Sequence, residues 1–148
     1  MSDDFTYLLR VRYSECDAQL VVFNARYVDY VDIALTEFQR HLWGSYQDLM
    51  ASGLDTQLVN LNIDWMAPAR FDDVLRISMK VTRVGNTSFV VRAEFHNHDN
   101  GEHLAGVDVT YVLVSTPEFS STPINDVMRQ QLLAGAPGVC VDHAGAGG

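Results

Sequence analysis

An acidic turn, Ser14-Glu15-Cys16-Asp17, separates a strand-like from a helix-like segment in YSECDAQLVVFNARYVDY, residues 13–30. Asp17 has an unperturbed pKa of about 3.9, so it is ionised at neutral pH and can attack a carbonyl carbon or activate water. Asn24 stands where a helix is expected to start, and the unpaired N–H groups there can stabilise an oxyanion. An anionic oxygen that faces N–H donors is what the hydrolysis of an acyl group requires.

Asp17 has competitors in the sequence. Taken as a local pattern alone, it is typical of an ordinary turn aspartate. Asp29, Asp32 and Glu37 also carry carboxylates, although their spacing is typical of the solvent-exposed face of a helix. Cys16 is a potential nucleophile, but no histidine is near it in sequence, and a small half-buried side chain is the preferred interpretation.

Potential metal ligands cluster near residue 100: His96, His98, Asp99, Glu102 and His103. They lie on both sides of Asn100-Gly101, a pair of residues that strongly favours a β-hairpin. We therefore expect a surface hairpin here and no metal site.

The elements that position Asp17 follow from hydrophobic spacing. Apolar residues recur at intervals of three and four: Tyr27, Val31, Ala34, Leu35, Phe38 and Leu42. This pattern predicts a helix over residues 27–43 that ends near Gly44 and is about 25 Å long. Asn24 is its predicted N-cap, and Phe23 is predicted to pack on Val28 as a hydrophobic staple. Ser45 and Asp48 predict a capping box for a short second helix.

Alternating apolar and polar residues predict a strand over 7–13 and four more over 59–65, 75–82, 89–96 and 105–113. A short helix over 124–132 is expected next, and the Gly-rich segment 134–148 is expected to be disordered. Together these elements predict one α+β domain over 1–133, in which a long helix packs on a mostly antiparallel five-stranded sheet. The uncovered sheet face and edges favour self-association.

Composition limits the partners. The chain of 148 residues has a formal net charge of −9, which argues against nucleic-acid binding. The first residues lack the basic region of a signal peptide, and no apolar run approaches the roughly 18 residues that span a bilayer. We expect a cytoplasmic protein that does not bind membranes.

Several segments resemble the hotdog-fold thioesterases of the 4-hydroxybenzoyl-CoA type. The resemblance is most specific in RVRYSECDAQLVVFNARYVDYVDIALTEF and continues in NIDWMAPARFDDVL, VGNTSFVVRAEF and NGEHLAGVDVTYVLV. It extends from about Tyr7 to Pro123. It implies the hotdog fold, in which a five-stranded sheet wraps around a long helix, in agreement with the order of elements predicted above.

The resemblance also implies an activity and its residues. The expected reaction is hydrolysis of an aryl- or alkyl-CoA thioester without a metal or organic cofactor, with Asp17 as nucleophile or general base. The implied residues around the thioester are Tyr13, Phe23 and Asn24, and those that hold the CoA moiety are Arg83, Thr87 and Ser88. Family members are dimers or dimers of dimers whose subunits share active sites, and the segment 60–68 of one subunit is expected to complete the site of the other.

The sequence departs from the family pattern at Leu20, where glycine is common, and at Asn24, where histidine or an aromatic residue is frequent. Asn86 and Thr87 are neutral where several relatives carry basic residues that hold the nucleotide phosphates. Two other functions therefore stay open, a hydratase or dehydratase on the same fold and a non-catalytic acyl-binding protein. The first of these usually needs a histidine, and the Asp17 loop contains none.

Overall fold

The computed structural model describes residues 4–146, which form three α-helices and seven strands. The helices are α1 (Arg26–Trp43), α2 (Tyr46–Ala51) and α3 (Asp126–Ala134). The strands are β1 (Phe5–Arg10), β2 (Leu54–Trp65), β3 (Val74–Val84), β4 (Ser88–Asn97), β5 (His103–Ser115), β6 (Ser120–Ser121) and β7 (Cys140–Asp142). No helix in this part of the chain is long and apolar enough to cross a membrane.

All strands belong to one sheet in the order β2-β5-β4-β3-β1-β7. The short β6 pairs with the last two residues of β5, Val114 and Ser115. The ladders are antiparallel, except that β7 runs parallel to β1. Burial alternates along β4, where Phe89, Val91, Ala93 and Phe95 face the core. The α+β hotdog architecture is thus confirmed, but the predicted count of five strands is too low, because the short β6 and β7 extend the sheet.

Helix α1 packs its apolar stripe on the concave face of this sheet. Ala34 and Phe38 are fully buried, and the ring of Phe38 lies 5.2 Å from that of Phe5 in β1. The helix ends where Gly44, at φ 87°, donates its N–H to the carbonyl of Arg40. Glycine adopts this left-handed backbone without steric cost, which explains the predicted end point.

The predicted start of α1 is wrong in its detail. Ala25 precedes the helix in a right-handed turn conformation, and no side chain caps the first N–H groups. Backbone carbonyls take that role, since Phe23 accepts from the N–H of Arg26 and Asn24 accepts from that of Tyr27. Phe23 is 52% exposed and forms no buried staple. The predicted capping box of α2, in contrast, is confirmed.

The predicted disorder of the segment 134–148 is wrong for the residues that the structure describes. Cys140–Asp142 forms β7 on the outer edge of β1, and His143 donates its N–H to the carbonyl of Leu8. The hydroxyl of Tyr7 lies 2.8 Å from Nδ1 of His143. The Gly-rich composition does not predict this short strand, which forms because the edge of β1 is open to pairing. Residues 147–148 of this segment, like residues 1–3 of the predicted domain, lie outside the described range.

Candidate active site

Asp17 lies in a tight loop between β1 and α1, which we call the Asp17 hairpin (residues 16–22). Cys16 and Val22 form an antiparallel bridge. Inside it, Asp17 donates its N–H to the carbonyl of Val21 at 2.9 Å, and Leu20 donates its N–H to the carbonyl of Asp17 at 2.9 Å. The predicted first strand ends earlier than expected, at Arg10, because a 3-10 turn precedes this hairpin.

The backbone of Leu20 has a φ of 61°. This left-handed conformation costs an L-residue with a side chain roughly 1–2 kcal/mol, a cost that glycine would avoid. Leu20 is 47% exposed, so its bulk meets solvent and the turn is retained.

Asp17 as a whole residue is half-buried. Its Oδ1 accepts a hydrogen bond from the N–H of Gln19 at 2.8 Å. Within residues 4–146, Oδ2 accepts no hydrogen bond. One oxygen therefore fixes the side chain to its own turn, and the other is available to a substrate or a water molecule.

The Asp17 hairpin rests on the connection between β2 and β3. Val22 donates its N–H to the carbonyl of Ala69 at 2.8 Å, and Phe71 donates to the carbonyl of Leu20 at 3.1 Å. Val21 and Arg70 form a further bridge between these two hydrogen bonds. The hairpin is thus held on a fixed support and is not a free surface loop.

Two N–H donors lie just before the first turn of α1. The N–H groups of Asn24 and Ala25 donate to no group in the described part of the chain, and both residues are exposed. The positive end of the helix dipole adds to their donor strength. Asn24 was expected to supply a backbone donor here, while Ala25 was missed, because its side chain carries no chemical signal.

Glu15 was not predicted to have a role, yet it is 7% exposed and fully hydrogen-bonded. Its Oε1 accepts from the hydroxyl of Tyr30 at 2.9 Å and from the N–H of Arg12 at 2.8 Å. Its Oε2 accepts two hydrogen bonds from the Arg12 guanidinium, at 2.7 and 3.0 Å. The sequence signal that could have revealed it is the Arg and Glu pair at a spacing of three.

These contacts determine the protonation states. Burial by itself would raise the pKa of Glu15, but the hydrogen bonds from Arg12 and Tyr30 outweigh it and hold this pKa below its ordinary value. Burial, and then the hydrogen bond to Glu15, raise the pKa of Tyr30. Glu15 is therefore a carboxylate at neutral pH, and Tyr30 stays a protonated donor.

A cavity of about 270 Å³ opens beside the start of α1. It is lined by Val21, Val22, Asn24, Tyr27, Trp65, Met66, Ala67 and Pro68. The structure thus brings Asn24 and part of the predicted segment 60–68 together in the same chain. Tyr13 and Phe23 do not line the cavity. Tyr13 is 70% exposed and packs edge-on against Phe71, at 5.7 Å between ring centroids.

A larger cavity of about 470 Å³ lies between α1, α2 and the beginning of β2. Its lining includes Asp32, Trp43, Leu58 and Tyr111. Trp43 Nε1 and the Tyr111 hydroxyl are buried and have no hydrogen-bond partner among the described residues. This cavity shares no lining residue with the one next to Asn24.

The predicted CoA-binding residues lie far from Asp17 within one chain. Arg83 is nine residues from Val74 along β3, which corresponds to about 30 Å of strand. Val74 pairs with Arg10, next to the Asp17 hairpin, so Arg83 is at the opposite end of the sheet. Thr87 and Ser88 lie at that same end, in the turn before β4 and at its first residue.

The predicted hairpin around Asn100-Gly101 is confirmed as the connection between β4 and β5. The rings of His96 and His103 stack at 4.8 Å, and His103 Nε2 lies 2.5 Å from a carboxylate oxygen of Glu94. Across residues 4–146, no group of three or more His, Cys, Asp and Glu side chains is arranged to hold a metal ion.

The buried carboxylate of Glu15 should contribute to the stability of the fold. At pH 7, Glu15→Gln should lower the free energy of unfolding by about 1.5–3 kcal/mol, because it removes charge-assisted hydrogen bonds and turns an NH₂ group toward Arg12. The folded pKa of Glu15 lies below the unfolded value of about 4.3. Its contribution is therefore complete above that value and is lost as the pH falls through the folded pKa.

Urea titrations at several pH values from 7 downward measure this effect. The difference between wild type and Glu15→Gln should shrink as the solution becomes acidic. Glu102→Gln, a change of the same chemistry at an exposed hairpin position, should stay within about 0.5 kcal/mol of wild type. A Glu15→Gln difference that is independent of pH would contradict the assigned charge state.

Comparison with known proteins agrees with this architecture. The thioesterase superfamily model matches residues 20–103. The acyl-CoA thioester hydrolase YbgC of Escherichia coli O6:H1 is 36% identical over 96 residues, 65% of this chain and 72% of that protein. The long-chain acyl-CoA thioesterase FadM of Escherichia coli K12 is 23% identical over 124 residues, 84% of this chain and 93% of that protein.

Among solved structures, a 1,4-dihydroxy-2-naphthoyl-CoA thioesterase from Synechocystis superposes with a TM-score of 0.77 at 22% identity. The superposition covers 86% of this chain and 94% of that one, and at this identity it supports the fold alone. The family match itself extends over more than half of the chain. The protein therefore belongs to the thioesterase superfamily and is a thioester hydrolase with the hotdog fold.

Proposed function

We propose that the protein hydrolyses an acyl-CoA at the Asp17 hairpin and releases the free acid and CoA. The observation that carries this proposal is the carboxylate of the half-buried residue Asp17, of which one oxygen accepts no hydrogen bond among residues 4–146. Asp17 is also close in the chain to the donors of Asn24 and Ala25. The family match begins at residue 20, after Asp17, so the role of this residue is argued from its geometry.

The chemistry needs one carboxylate oxygen and two donors. Asp17 either attacks the thioester carbon, forming an anhydride that water then cleaves, or removes a proton from the water that attacks it. In both routes the carbonyl oxygen becomes negative and accepts hydrogen bonds from the two N–H groups. The C–S bond then breaks, and the CoA thiolate takes up a proton from solvent. We propose that no metal or organic cofactor takes part. Undiminished thiol release in EDTA tests the metal, and turnover by purified protein with acyl-CoA as the sole addition tests the organic cofactor.

The first kinetic prediction concerns Asp17. Asp17→Asn keeps the shape of the side chain and removes its charge, so kcat should fall by at least about a hundredfold, the low end for general base catalysis. Asp29→Asn is the matched control, because Asp29 is a rival carboxylate that pairs with Arg26 on the exposed helix surface. Thiol release from a panel of aryl- and long-chain acyl-CoAs measures both variants.

The outcomes of this assay separate the functional classes. Near-normal turnover by Asp17→Asn would contradict the assignment and move attention to Asp32 and Glu37. A wild-type protein that binds acyl-CoA without thiol release would instead be an acyl-binding protein. Hydration of a crotonyl-type ligand would indicate a hydratase, although neither the Asp17 hairpin nor the first turn of α1 contains a histidine.

We also propose that the protein is a homodimer, joined through β2. This strand ends the sheet, and in the described chain no other strand covers its outer edge. Leu58, Val59 and Trp65 are between 47% and 56% exposed along it. β2 is twelve residues long, and six of them are apolar. An open edge strand of this length can pair with another chain. Antiparallel pairing of two β2 strands would create one continuous sheet.

This pairing would also combine the two cavities. In antiparallel strands, the Trp65 end of one β2 lies beside the Leu54 end of the other. The cavity at Asn24 borders the Trp65 end, and the cavity of about 470 Å³ borders the beginning of β2. The acyl site would then contain groups from both chains, which refines the earlier expectation that the segment 60–68 alone completes the partner's site.

The proposed dimer can be tested by a charge introduced into β2. Val59→Asp places a charge at the centre of the proposed interface and should produce monomers that have lost most of their turnover. Val127→Asp is the matched control, because Val127 is 66% exposed but belongs to α3 and not to the strand β2. Sedimentation velocity at micromolar concentration measures the mass. A monomeric wild type that still hydrolyses thioesters would contradict the shared site.

Arg83 provides a prediction about CoA. Because Arg83 is far from Asp17 of its own chain, we propose that it binds the phosphates of a CoA whose thioester lies at Asp17 of the second copy. Arg83→Ala should raise KM more than it lowers kcat. A phosphate contact remote from the reacting carbon stabilises the bound substrate and the transition state by the same free energy. Lys80→Ala, on the same strand, is the control. Unchanged KM in Arg83→Ala would place the nucleotide elsewhere.

A further inference from the structure

The hydrogen-bonded group of Arg12, Glu15 and Tyr30, which we call the Glu15 network, lies beneath the Asp17 hairpin and outside the proposed reaction. Its central carboxylate accepts four hydrogen bonds and is almost inaccessible to solvent. A buried carboxylate is costly unless its hydrogen bonds are satisfied, and here they hold it between the 72%-exposed Arg12 side chain and the buried Tyr30. The proposed reaction uses none of these three side chains.

The network joins three parts of the fold. Arg12 follows the end of β1, and Tyr30 belongs to the second turn of α1. Glu15 lies at the base of the Asp17 hairpin, where its backbone carbonyl accepts the N–H of Phe23 at 3.0 Å. One side chain thus links the strand, the hairpin and the helix.

Both proposed reacting groups are adjacent to this junction. Asp17 is two residues after Glu15, and Asn24 directly follows Phe23. The hydrogen bond between Glu15 and Phe23 closes the hairpin on one side, and the bond to Tyr30 ties the same residue to the helix. A shift of Glu15 would change the distance between the Asp17 carboxylate and the N–H groups of Asn24 and Ala25.

We propose that Glu15 is a positioning residue that fixes the Asp17 carboxylate relative to the N–H donors at the start of α1. This inference rests on the proposed function of Asp17. A carboxylate held by two N–H groups of one guanidinium and by a phenol has a defined direction, because each hydrogen bond depends on an angle as well as a distance. A displacement of about 1 Å in such a site can lower the rate by about a hundredfold.

The kinetic test compares Glu15→Gln and Tyr30→Phe with a matched control. Each variant should lower kcat by about 10- to 100-fold and leave KM within about twofold, when assayed at a temperature at which it is fully folded. Glu94→Gln is the control. Glu94 likewise binds an arginine, Arg92, and a third side chain, His103, but on the outer face of the sheet, and its loss should leave kcat unchanged.

The double variant tests whether Glu15 and Tyr30 act as one unit. If the network acts as a unit, Glu15→Gln with Tyr30→Phe should lose no more turnover than the worse single variant. Losses that multiply would show two independent effects and overturn the proposal. Unchanged kcat in Glu15→Gln, with wild-type turnover intact, would overturn it as well and leave the proposed function standing.

Amide hydrogen exchange tests the positioning without any substrate. In Glu15→Gln, the N–H groups of Asp17 and Phe23 should exchange at least about tenfold faster, because both bonds close the hairpin. Glu94→Gln should leave these two rates unchanged. Exchange as slow as in wild type would overturn the role of Glu15 even if the protein proves not to hydrolyse thioesters. Absence of thiol release by the wild type would instead count against the proposed function alone.

Discussion

The packing of α1 against the concave face of the sheet is the constraint on which the rest of the structure depends. The aromatic rings of Tyr27 and Tyr30 lie 5.4 and 6.5 Å from that of Phe95 in β4, so the beginning of the helix packs directly against the sheet. Burial of each large apolar side chain contributes about 1.5–3 kcal/mol. Because the sheet fixes this end of the helix, it also fixes the N–H donors that precede it.

A polar network lies at the edge of that apolar contact. Tyr30 combines both roles, since its ring packs in the core and its hydroxyl donates to Glu15. The carboxylate remains charged because four donors compensate the cost of its burial. The Asp17 hairpin is thus connected to the core through directional bonds at its base and through backbone bonds to Ala69 and Phe71 at its flank.

The two edges of the sheet are treated differently. On the β1 side, the short β7 covers the edge, and His143 reaches the hydroxyl of Tyr7. On the β2 side, a long strand with exposed apolar side chains is left without a neighbour in the described chain. The difference matters because the backbone N–H and C=O groups of a covered edge are already paired, whereas those of an open edge can pair with another strand. It explains why a second copy is expected at β2.

The sequence by itself predicted the main elements and indicated one candidate site residue. Spacing of three and four from Tyr27 to Leu42 predicted α1, and period-two alternation predicted the main strands, because both patterns report which face of an element is buried. Asp17 was identified from its place before a helix and from the resemblance to a family. Local rules failed at Asn24, which does not cap α1, and in the segment 134–148, where a strand forms.

Only the tertiary structure decided how these groups meet. The tyrosine partner of Glu15 is fifteen residues away on another element, and no sequence period links the two. The same holds for β7, which is a strand only because the edge of β1 is open to it, and for the separation of Arg83 from Asp17, which follows from strand direction. Burial and pairing between distant segments are properties of the folded chain, because they depend on which surfaces meet and not on the order of residues.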